Sequence, residues 1–350
     1  MVASLREGIP RLHGGEEINT GALDQRGRTL GVLRLSLTAR CNLACRYCRP
    51  ENRDPPTLLT HQQRLKLIGA AARLGCRRLR LTGGEPLLAP GLAPLVQAVK
   101  ALDLVEDVAV TTNGVLLDRS VAQGLQQAGL DRITISLDGA DPQAVLRMGG
   151  GHSFAPVLSA IGHAQAVGLP VKINMVAMAH GNGDQVIPMA RLCRRLGVEL
   201  RLIEYMDVGN RNGWRPEQVI TAAAMTAEIG RHWPLTPVGR QHGSTARRWR
   251  YQDGGGFVST IASISEPFCG DCNRLRVTAD GMAYTCLFAS RGTDLKPALD
   301  PRQPDAVLMH QLRSLWRRRQ DRYSEERALQ AQQTSPAPRP IPAEMAYMGG

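Results

Sequence analysis

The sequence predicts an α/β fold whose core is an incomplete TIM-type barrel of six strand–helix units, (β/α)6. Short runs rich in leucine or β-branched residues alternate with helical patterns from about residue 32 to about residue 206. Such an alternation predicts parallel strands joined by right-handed crossovers. An open doubly wound sheet fits the same number of units, and a complete barrel needs eight. Because the pattern stops after six units, we expect an open barrel whose open side is covered by another part of the chain.

The predicted elements follow one another in a regular order. The strands are Val32–Leu37, Arg78–Leu81, Val108–Thr111, Arg132–Leu137, Val171–Val176 and Glu199–Ile203. The helices between them are Arg64–Leu74, Leu92–Leu102, Ser120–Gln127, Ala155–Val167 and Gln185–Leu196. The later part of the chain is less regular, with a helix near Ala222–Arg231, a glycine-rich hairpin turn at Asp253–Phe257 and a basic helix around Asp305–Leu329. We therefore expect an N-terminal segment (1–30), the partial barrel (31–206), a C-terminal region (207–329) and a flexible tail rich in Gln, Pro and Ala (330–350).

Composition and charge limit the classes of protein that the chain can belong to. The 350 residues include 43 Lys and Arg against 31 Asp and Glu, a net charge of +12. This excess suits a polyanionic partner, either nucleic acid or a nucleotide with several phosphates, although arginine-rich runs such as 194–195 and 315–319 equally suit a solvated surface. Only four Phe, six Tyr and four Trp could stack on bases, which disfavours a nucleic-acid-binding module. No apolar run approaches the ~20 residues of a membrane span and the first thirty residues lack the apolar stretch of a signal peptide, so we expect a cytoplasmic protein without membrane association.

Eight cysteines in a chain without an export signal are expected to be thiols rather than disulfides. Two of them, Cys76 and Cys193, lie between helix and strand patterns, where a small buried hydrophobic residue is the usual interpretation. The other six form two spaced triplets.

The first triplet comprises Cys41, Cys45 and Cys48, with the spacing C-x3-C-x2-C and Tyr47 directly before the last thiol. Three thiolates from one short loop can hold three irons of a four-iron cluster and leave the fourth iron open for a small molecule. Structural zinc is the ordinary alternative, but it prefers four ligands, and no His or Cys lies close enough in the sequence to complete the set. The spacing therefore favours an iron–sulfur cluster with an open iron.

The second triplet is Cys269, Cys272 and Cys286, with the spacing C-x2-C-x13-C. A Cys-x2-Cys pair alone is typical of a zinc knuckle, yet residues 260–300 contain neither His nor a further Cys. A second three-thiolate cluster explains the count better. Arg274 and Arg276 lie between its cysteines and would share one face of a strand, where they could bind phosphate or carboxylate; a solvent-facing strand edge is the alternative.

Four groups of candidate site residues follow predicted strands directly. The cysteine loop follows the first strand, and Thr82–Pro86, Thr112–Gly114 and Ser136–Asp138 follow or close the next three. In parallel α/β folds, ligands bind at the carboxyl ends of the strands. We therefore expect one binding face. The Gly83-Gly84-Glu85-Pro86 motif could be an ordinary turn before a helix, or a loop whose glycines let the backbone approach a ligand closely.

Taken together, these motifs resemble the GTP 3′,8-cyclases of molybdenum cofactor biosynthesis, a family of the radical S-adenosylmethionine (SAM) superfamily. The cysteine loop and the Gly-Gly-Glu-Pro motif are similar to those of the superfamily. The second triplet, the Arg274-Leu275-Arg276 insert and the terminal Gly349-Gly350 resemble the cyclase family itself. Further matching phrases are Lys172-Ile-Asn174 and Ile203–Gly209.

The resemblance implies a role for each matching position. It implies that Cys41, Cys45 and Cys48 hold a [4Fe–4S] cluster that binds SAM, and that Cys269, Cys272 and Cys286 hold a second [4Fe–4S] cluster that binds the guanine of GTP. Residues implied at the SAM site are Tyr47, Gly84, Ser136 and Met206. Residues implied around GTP are Arg34, Arg80, Thr111, Lys172, Arg274, Leu275 and Arg276, with Arg201 as an addition. Gly349 and Gly350 are implied to reach into the active site and act in catalysis.

The resemblance also implies the reaction and the partners. Reductive cleavage of SAM would give a radical that removes hydrogen from C3′ of GTP, and C3′ would then bond to C8 of guanine. The product would be (8S)-3′,8-cyclo-7,8-dihydroguanosine 5′-triphosphate, and the enzyme would be a lyase. The implied partners are an electron donor such as flavodoxin or ferredoxin, a downstream enzyme that forms the cyclic pyranopterin, and a second copy of the chain in a homodimer. The nearest alternative is a radical SAM peptide maturase with an auxiliary cluster, a class whose auxiliary domains usually carry more cysteines.

Overall fold

The computed structural model of the chain describes residues 21–48, 50, 52–209, 211–330 and 343–349. Within these ranges the strands are β1 (Val32–Ser36), β2 (Arg78–Thr82), β3 (Asp107–Thr112), β4 (Arg132–Ser136), β5 (Val171–Ala177), β6 (Glu199–Glu204), β7 (Leu235–Gly239), β8 (Arg247–Tyr251), β9 (Phe257–Ile261), β10 (Arg274–Val277), β11 (Met282–Tyr284) and β12 (Thr293–Asp294). The helices are α1 (His61–Arg73), α2 (Leu92–Ala101), α3 (Arg119–Gln127), α4 (Pro142–Arg147), α5 (Phe154–Ala166), α6 (Val186–Arg195), α7 (Ala222–His232), α8 (Lys296–Leu299), α9 (Asp305–Arg317), α10 (Tyr323–Gln330) and α11 (Met345–Met348).

The strands form one sheet in the order β12-β11-β10-β1-β2-β3-β4-β5-β6-β9-β8-β7. The predicted six strands lie side by side in chain order and every pair is parallel, which confirms the α/β class with a large parallel sheet. Two strands of the C-terminal region extend the parallel array to eight, because β10 pairs with β1 and β9 pairs with β6. The sequence pattern did not indicate these two pairings, since each joins segments that are far apart in the chain.

Local signals explain where several helices begin. The Thr60 hydroxyl accepts a hydrogen bond from the backbone N–H of Gln63, whose side chain in turn accepts from the N–H of Thr60, and this capping box starts α1 three residues before the predicted Arg64. Asp141 caps the unpredicted short helix α4, in which Pro142 takes the first position. The predicted helix at 222–231 is confirmed as α7.

The C-terminal region corrects one prediction. The basic stretch from 305 to 329 is not one helix but two, α9 and α10, because the chain leaves the helix after Arg317 and turns Arg319 into the interior. The hairpin turn at Asp253–Phe257 is confirmed, since it joins the antiparallel strands β8 and β9. For the tail, residues 331–342 lie outside the described residues, and 343–349 include the short helix α11.

The core lies between the parallel strands and the helices that follow them. Along β5, Ile173 and Met175 are buried in this core, whereas Lys172 and Asn174 face the other side of the sheet. This alternation is the ordinary period of two for a strand, and it leaves one face free for polar side chains. Cys76 and Cys193 are buried in the same core, as predicted. Among the described helices, none has the length and apolar character to cross a membrane.

Candidate functional site

One cavity of about 590 Å³ lies on the face of the sheet opposite the core, and side chains from all eight parallel strands line it. Most of the predicted substrate residues and the whole second triplet meet there. The predicted residues that line the cavity are Arg34, Arg80, Thr111, Lys172, Arg201, Met206, Cys269, Cys272, Arg274, Arg276 and Cys286. The agreement supports the expectation of a single binding face.

Strand register brings the arginines together. Arg34 on β1 is level with Arg276 on β10 and with Arg80 on β2, so three guanidinium-bearing residues form one row across three adjacent strands. Two residues further down, Arg274 and Arg78 occupy the corresponding positions on either side of Val32. Adjacent strands are only about 4.8 Å apart, so these side chains converge on the same part of the cavity.

This concentration of positive charge is only partly compensated. Burial, followed by repulsion from Arg276 and Arg80, holds the pKa of Arg34 well below its usual range. Burial and repulsion from Arg274 lower the pKa of Arg276 to about 10, and burial with repulsion from Arg132 lowers that of Arg80 to about 10. Each shift means that the charged form is destabilised here, which an anionic ligand would reverse.

Two acidic residues lie among the basic side chains that line the cavity. Glu199 accepts hydrogen bonds from Lys172 Nζ and Arg248 Nη2, both at 3.0 Å. Asp107 pairs with Arg80 and, at 3.0 Å, with Arg132. Three cavity atoms, Asn174 Oδ1, Arg201 Nε and Arg248 Nε, are buried without a hydrogen-bond partner in the described part of the chain.

Such atoms cost free energy, about 1–3 kcal/mol each, unless a ligand or water satisfies them. The cavity therefore has donors, an acceptor and positive charge suited to a polar, highly anionic ligand.

The first triplet lies in the loop between β1 and α1, at the carboxyl end of the sheet. The hydroxyl of Tyr47 donates to Oδ2 of Asp138 at 2.9 Å, which ties the loop to the end of β4. Asn113, just beyond β3, places its side-chain amide 3.8 Å from the Cys41 sulfur. Loops at the ends of three strands thus position the thiols.

Burial raises the pKa of all three thiols of the first triplet, that of Cys48 to about 12. The charges of the neighbouring thiols and of Asp138 add to this effect at Cys45. Thiolates are the ligands of iron, so cluster assembly would displace these protons, and the cluster's positive charge would stabilise the thiolates. The donor set fits a four-iron cluster.

The Gly-Gly-Glu-Pro motif packs against the backbone of the cysteine loop. A Cβ on Gly84 would lie 2.2 Å from the carbonyl oxygen of Arg40, and a Cβ on Gly83 would lie 2.4 Å from that of Thr38. The N–H groups of Gly84 and Glu85 donate to the carbonyls of Thr38 and Arg40, both at 2.8 Å. The glycines are therefore required for the close approach of two loops, and the amide of Gly84 is already used within the protein.

Glu85 lies within the candidate group Thr82–Pro86, but the sequence assigns it no role of its own. Its buried carboxylate accepts from the Leu87 N–H at 3.0 Å, the Thr112 hydroxyl at 2.6 Å and the Asn113 N–H at 2.7 Å. It thereby fixes the end of β3 to the glycine loop. Burial raises its pKa even though these donors act in the opposite direction.

The second triplet is enclosed by arginines. Arg319 donates from Nη2 to the Cys272 sulfur at 3.1 Å, and Arg28 donates from Nη1 to the Cys269 carbonyl at 2.7 Å. The solvated-surface interpretation of 315–319 is therefore wrong for Arg319, whose side chain is 1% exposed. The sequence gives no signal of this role, because nothing in the local pattern distinguishes Arg319 from the other arginines of the run.

The end of the chain enters the same cavity region. The carbonyl oxygen of Gly349 accepts hydrogen bonds from Arg34 Nε and Arg276 Nη1, each at 3.1 Å. Gly349 has φ +70°, and a Cβ there would lie 2.5 Å from Thr82 Cγ2. Gly350 lies outside the described residues.

The remaining predicted residues occupy other places. Tyr47, Gly84 and Ser136 lie at the strand ends with the first triplet rather than in the wall of the arginine-lined cavity. The side chain of Leu275 is buried in the core on the far face of β10, so only its main chain could meet a ligand. Asp138, which belongs to the candidate group Ser136–Asp138 but has no role assigned from the sequence, is the hydrogen-bond partner of Tyr47.

Within the described residues, no three or more His, Cys, Asp or Glu side chains are grouped as the ligands of one metal ion. In a four-iron cluster each thiolate binds a different iron, so its ligands need not converge on a point.

Comparisons with known proteins give a consistent result. The Radical SAM superfamily profile matches residues 35–193, and the Molybdenum Cofactor Synthesis C profile matches residues 198–325. The chain is 56% identical to a GTP 3′,8-cyclase of Parasynechococcus marenigrum, over 94% of this chain and 98% of that protein. It is 46% identical to a GTP 3′,8-cyclase of Xanthomonas campestris, over 93% of this chain and 97% of that protein.

Among solved structures, the chain resembles Streptococcus suis SuiB bound to S-adenosylmethionine, with a TM-score of 0.62 and 15% identity over 83% of this chain and 69% of SuiB. At that identity the likeness concerns the fold alone. The sequence relatives and both profiles go further: this chain belongs to the GTP 3′,8-cyclase family of radical SAM proteins.

Proposed function

We propose that the protein is a radical SAM enzyme that converts GTP into (8S)-3′,8-cyclo-7,8-dihydroguanosine 5′-triphosphate, an early step of molybdenum cofactor biosynthesis. The observation that carries this proposal is the shared cavity, in which the second cysteine triplet and the row Arg276, Arg34 and Arg80 lie together. High identity to GTP 3′,8-cyclases over nearly the whole chain supports it.

Cys41, Cys45 and Cys48 would hold the [4Fe–4S] cluster that binds SAM, and together the two cofactors supply one-electron chemistry that generates a carbon-centred radical. Tyr47, Gly84, Ser136 and Met206 would contact SAM. Because the Gly84 amide is bonded to Thr38, its carbonyl is the group to receive the SAM amino group. Asp138 would hold Tyr47 in position through its 2.9 Å hydrogen bond.

GTP would occupy the arginine-lined cavity. The rows formed by Arg34, Arg80, Arg274 and Arg276 provide paired guanidiniums that suit the oxygens of a triphosphate. Thr111, Lys172, Arg201 and the main chain of Leu275 would complete the substrate contacts. Cys269, Cys272 and Cys286 would hold a second [4Fe–4S] cluster, where the guanine base would bind. The protein's contribution is to orient the ribose toward the SAM end of the sheet and to exclude water.

Gly349 would lie between the GTP cavity and the SAM site at the strand ends. Its carbonyl is held by Arg34 and Arg276, and its α-carbon side faces Ser36 and Thr82 near the carboxyl ends of β1 and β2. A tail anchored there can reach both the substrate cavity and the SAM end. We propose that Gly349 and Gly350 together close the site around GTP.

We also propose that the sheet curves into an incomplete barrel whose C-terminal extension carries the second cluster. One cavity lined by eight adjacent strands supports strong curvature, because a flat sheet of that width could not surround a single small space. The two profile matches, which meet between residues 193 and 198, support a division of the chain into two regions, and we propose residue 206 as the end of the barrel region. The enzyme would be classed as a lyase, be cytoplasmic, and act as a homodimer. It would take electrons from flavodoxin or ferredoxin and pass its product to a cyclic pyranopterin-forming enzyme.

An anaerobic turnover assay tests the proposal. Reconstituted protein is mixed with SAM and a reductant, with or without GTP, and 5′-deoxyadenosine and the cyclised nucleotide are measured. We expect 5′-deoxyadenosine to depend on GTP and to accompany the cyclised product. Equal formation with and without GTP contradicts the cyclase assignment. An iron content near four rather than eight per chain contradicts the second cluster.

A further inference from the structure

The two cysteine triplets lie in different electrostatic surroundings. The charged residues that act on the first triplet are acidic: Glu85 on Cys41, Asp138 on Cys45 and Glu344 on Cys48. At the second triplet, Arg274 and Arg319 act on Cys272, while Asp321 acts on Cys286. Arg40 and Arg46 adjoin the first triplet in the sequence, but among the described hydrogen bonds no guanidinium reaches its sulfurs. At the second triplet, by contrast, Arg319 donates directly to the Cys272 sulfur.

Of these two arginines, Arg274 reaches the Cys272 thiol with its backbone N–H, whereas Arg319 contacts it with its guanidinium. Its Nη2 donates to the Cys272 sulfur at 3.1 Å, and its Nη1 donates to the Cys272 carbonyl. The guanidinium lies 4.7 Å from the centre of the Trp316 ring, and its side chain is 1% exposed. A buried hydrogen bond from a charged donor is stronger than a neutral one.

A network of charges holds Arg319 in this orientation. Asp24 Oδ2 lies 3.5 Å from Arg319 Nη1 and 2.6 Å from Arg28 Nε, so one buried carboxylate orders both arginines. Asp321 Oδ2 pairs with Arg319 Nε at 3.2 Å. Because Arg28 binds the Cys269 carbonyl, the network reaches the main chain of two of the three cluster cysteines.

We propose that Arg319, oriented by Asp24, is a positioning residue that raises the reduction potential of the second cluster above that of the first. This inference rests on the proposed presence of both clusters. Reduction adds one negative charge to a cluster, and part of that charge lies on its thiolate ligands. Hydrogen bonds to the sulfurs and nearby positive charge stabilise the reduced form, whereas acidic neighbours such as Asp138 and Glu85 destabilise it. The first cluster is thereby left as the stronger reductant.

Redox titration followed by electron paramagnetic resonance tests the proposal on the full-length chain. Each cluster is isolated by replacing the other triplet with serine, either Cys41→Ser/Cys45→Ser/Cys48→Ser or Cys269→Ser/Cys272→Ser/Cys286→Ser. In the Cys41→Ser/Cys45→Ser/Cys48→Ser background, which keeps the second cluster, we expect Arg319→Gln to lower the midpoint potential by at least about 59 mV. This shift corresponds to a tenfold change in the equilibrium constant of a one-electron reduction. Because Arg319→Lys keeps the charge, its midpoint potential should lie between that of the protein with Arg319 intact and that of Arg319→Gln.

Arg318→Gln is the matched control, because it removes the same charge from the adjacent exposed position and should leave the potential unchanged. If Arg319→Gln fails to bind iron, the Arg319→Lys variant provides the measurement. Unchanged potentials in the variants that bind a cluster overturn the proposal, as does a second cluster that titrates below the first. If the protein with Arg319 and the second triplet intact binds no cluster there, the proposed second cluster itself is wrong. The iron content of that protein distinguishes this outcome from an unchanged potential.

Discussion

Arg34 donates a hydrogen bond from Nε to the carbonyl oxygen of Gly349 at 3.1 Å, across 315 residues of the chain. Arg276 donates to the same oxygen, so two members of the arginine row hold the end of the chain. A glycine is needed there because φ is +70° and an added methyl group would meet Thr82.

Gly349→Ala should therefore reduce cyclisation at least tenfold while leaving the iron content unchanged. The left-handed backbone and the 2.5 Å contact with Thr82 Cγ2 would displace the tail from the arginines. Turnover and iron content are measured on the same anaerobic preparation. Gly162→Ala is the control, because the added methyl group meets open space. Normal turnover of Gly349→Ala would exclude a catalytic role for the tail.

Arg276→Gln should weaken GTP binding by about tenfold or more, because one charge-assisted interaction contributes roughly 1.5–3 kcal/mol. Equilibrium dialysis with labelled GTP provides the measurement, at two salt concentrations to expose the electrostatic part. Arg119→Gln, at an exposed helix start, has the same charge change and should bind GTP normally. Equal affinity of all three proteins would place the triphosphate elsewhere.

Glu85→Ala should destabilise the protein by about 3 kcal/mol or more, because it leaves the donors of Leu87, Thr112 and Asn113 without their acceptor. At this chain length we expect the unfolding midpoint to fall by on the order of 4 °C. Thermal unfolding of the cluster-free protein measures the change. Glu106→Ala removes an exposed carboxylate and should have little effect. A similar small shift for both variants would mean that Glu85 does not fix the glycine loop.

The buried carboxyl of Asp138 should make stability depend on pH. Burial raises its pKa from 3.8 to about 6, so the folded state binds more protons than the unfolded state between these values. The contribution of Asp138 is therefore fully present below about pH 4 and is lost as the pH rises through 6, on the order of 3 kcal/mol in total. Urea unfolding of the cluster-free protein at pH 4, 5, 6 and 7 measures it.

Asp138→Asn should remove this slope, so that the difference in unfolding free energy between wild type and variant falls as the pH rises from 4 to 6. Asp131→Asn is the comparison, because Asp131 is a half-buried carboxylate paired with Lys100 at 3.1 Å on another part of the sheet. A difference between wild type and Asp138→Asn that stays constant over this range would show that Asp138 is not protonated in the folded protein.

The sequence alone determined the features that depend on local spacing. The alternation of strands and helices, the two cysteine triplets and the position of the motifs after strands are all properties of neighbouring residues. Hydrophobic periodicity and thiol spacing can therefore be read without a structure. The same spacing could not reveal that Glu85 and Asp138 are buried acceptors, because any acidic residue after a strand has the same local pattern.

Tertiary structure alone decided which distant residues meet. The pairing of β10 with β1 places Arg276 beside Arg34. Because α9 ends before Arg319, this residue is directed toward the Cys272 sulfur, although its sequence context suits a surface position. Such contacts result from the packing of segments that are tens to hundreds of residues apart, where burial and charge depend on the partner and not on the neighbouring sequence. The local pattern thus supplied the chemical groups, and long-range packing gave them their positions and their electrostatic environment.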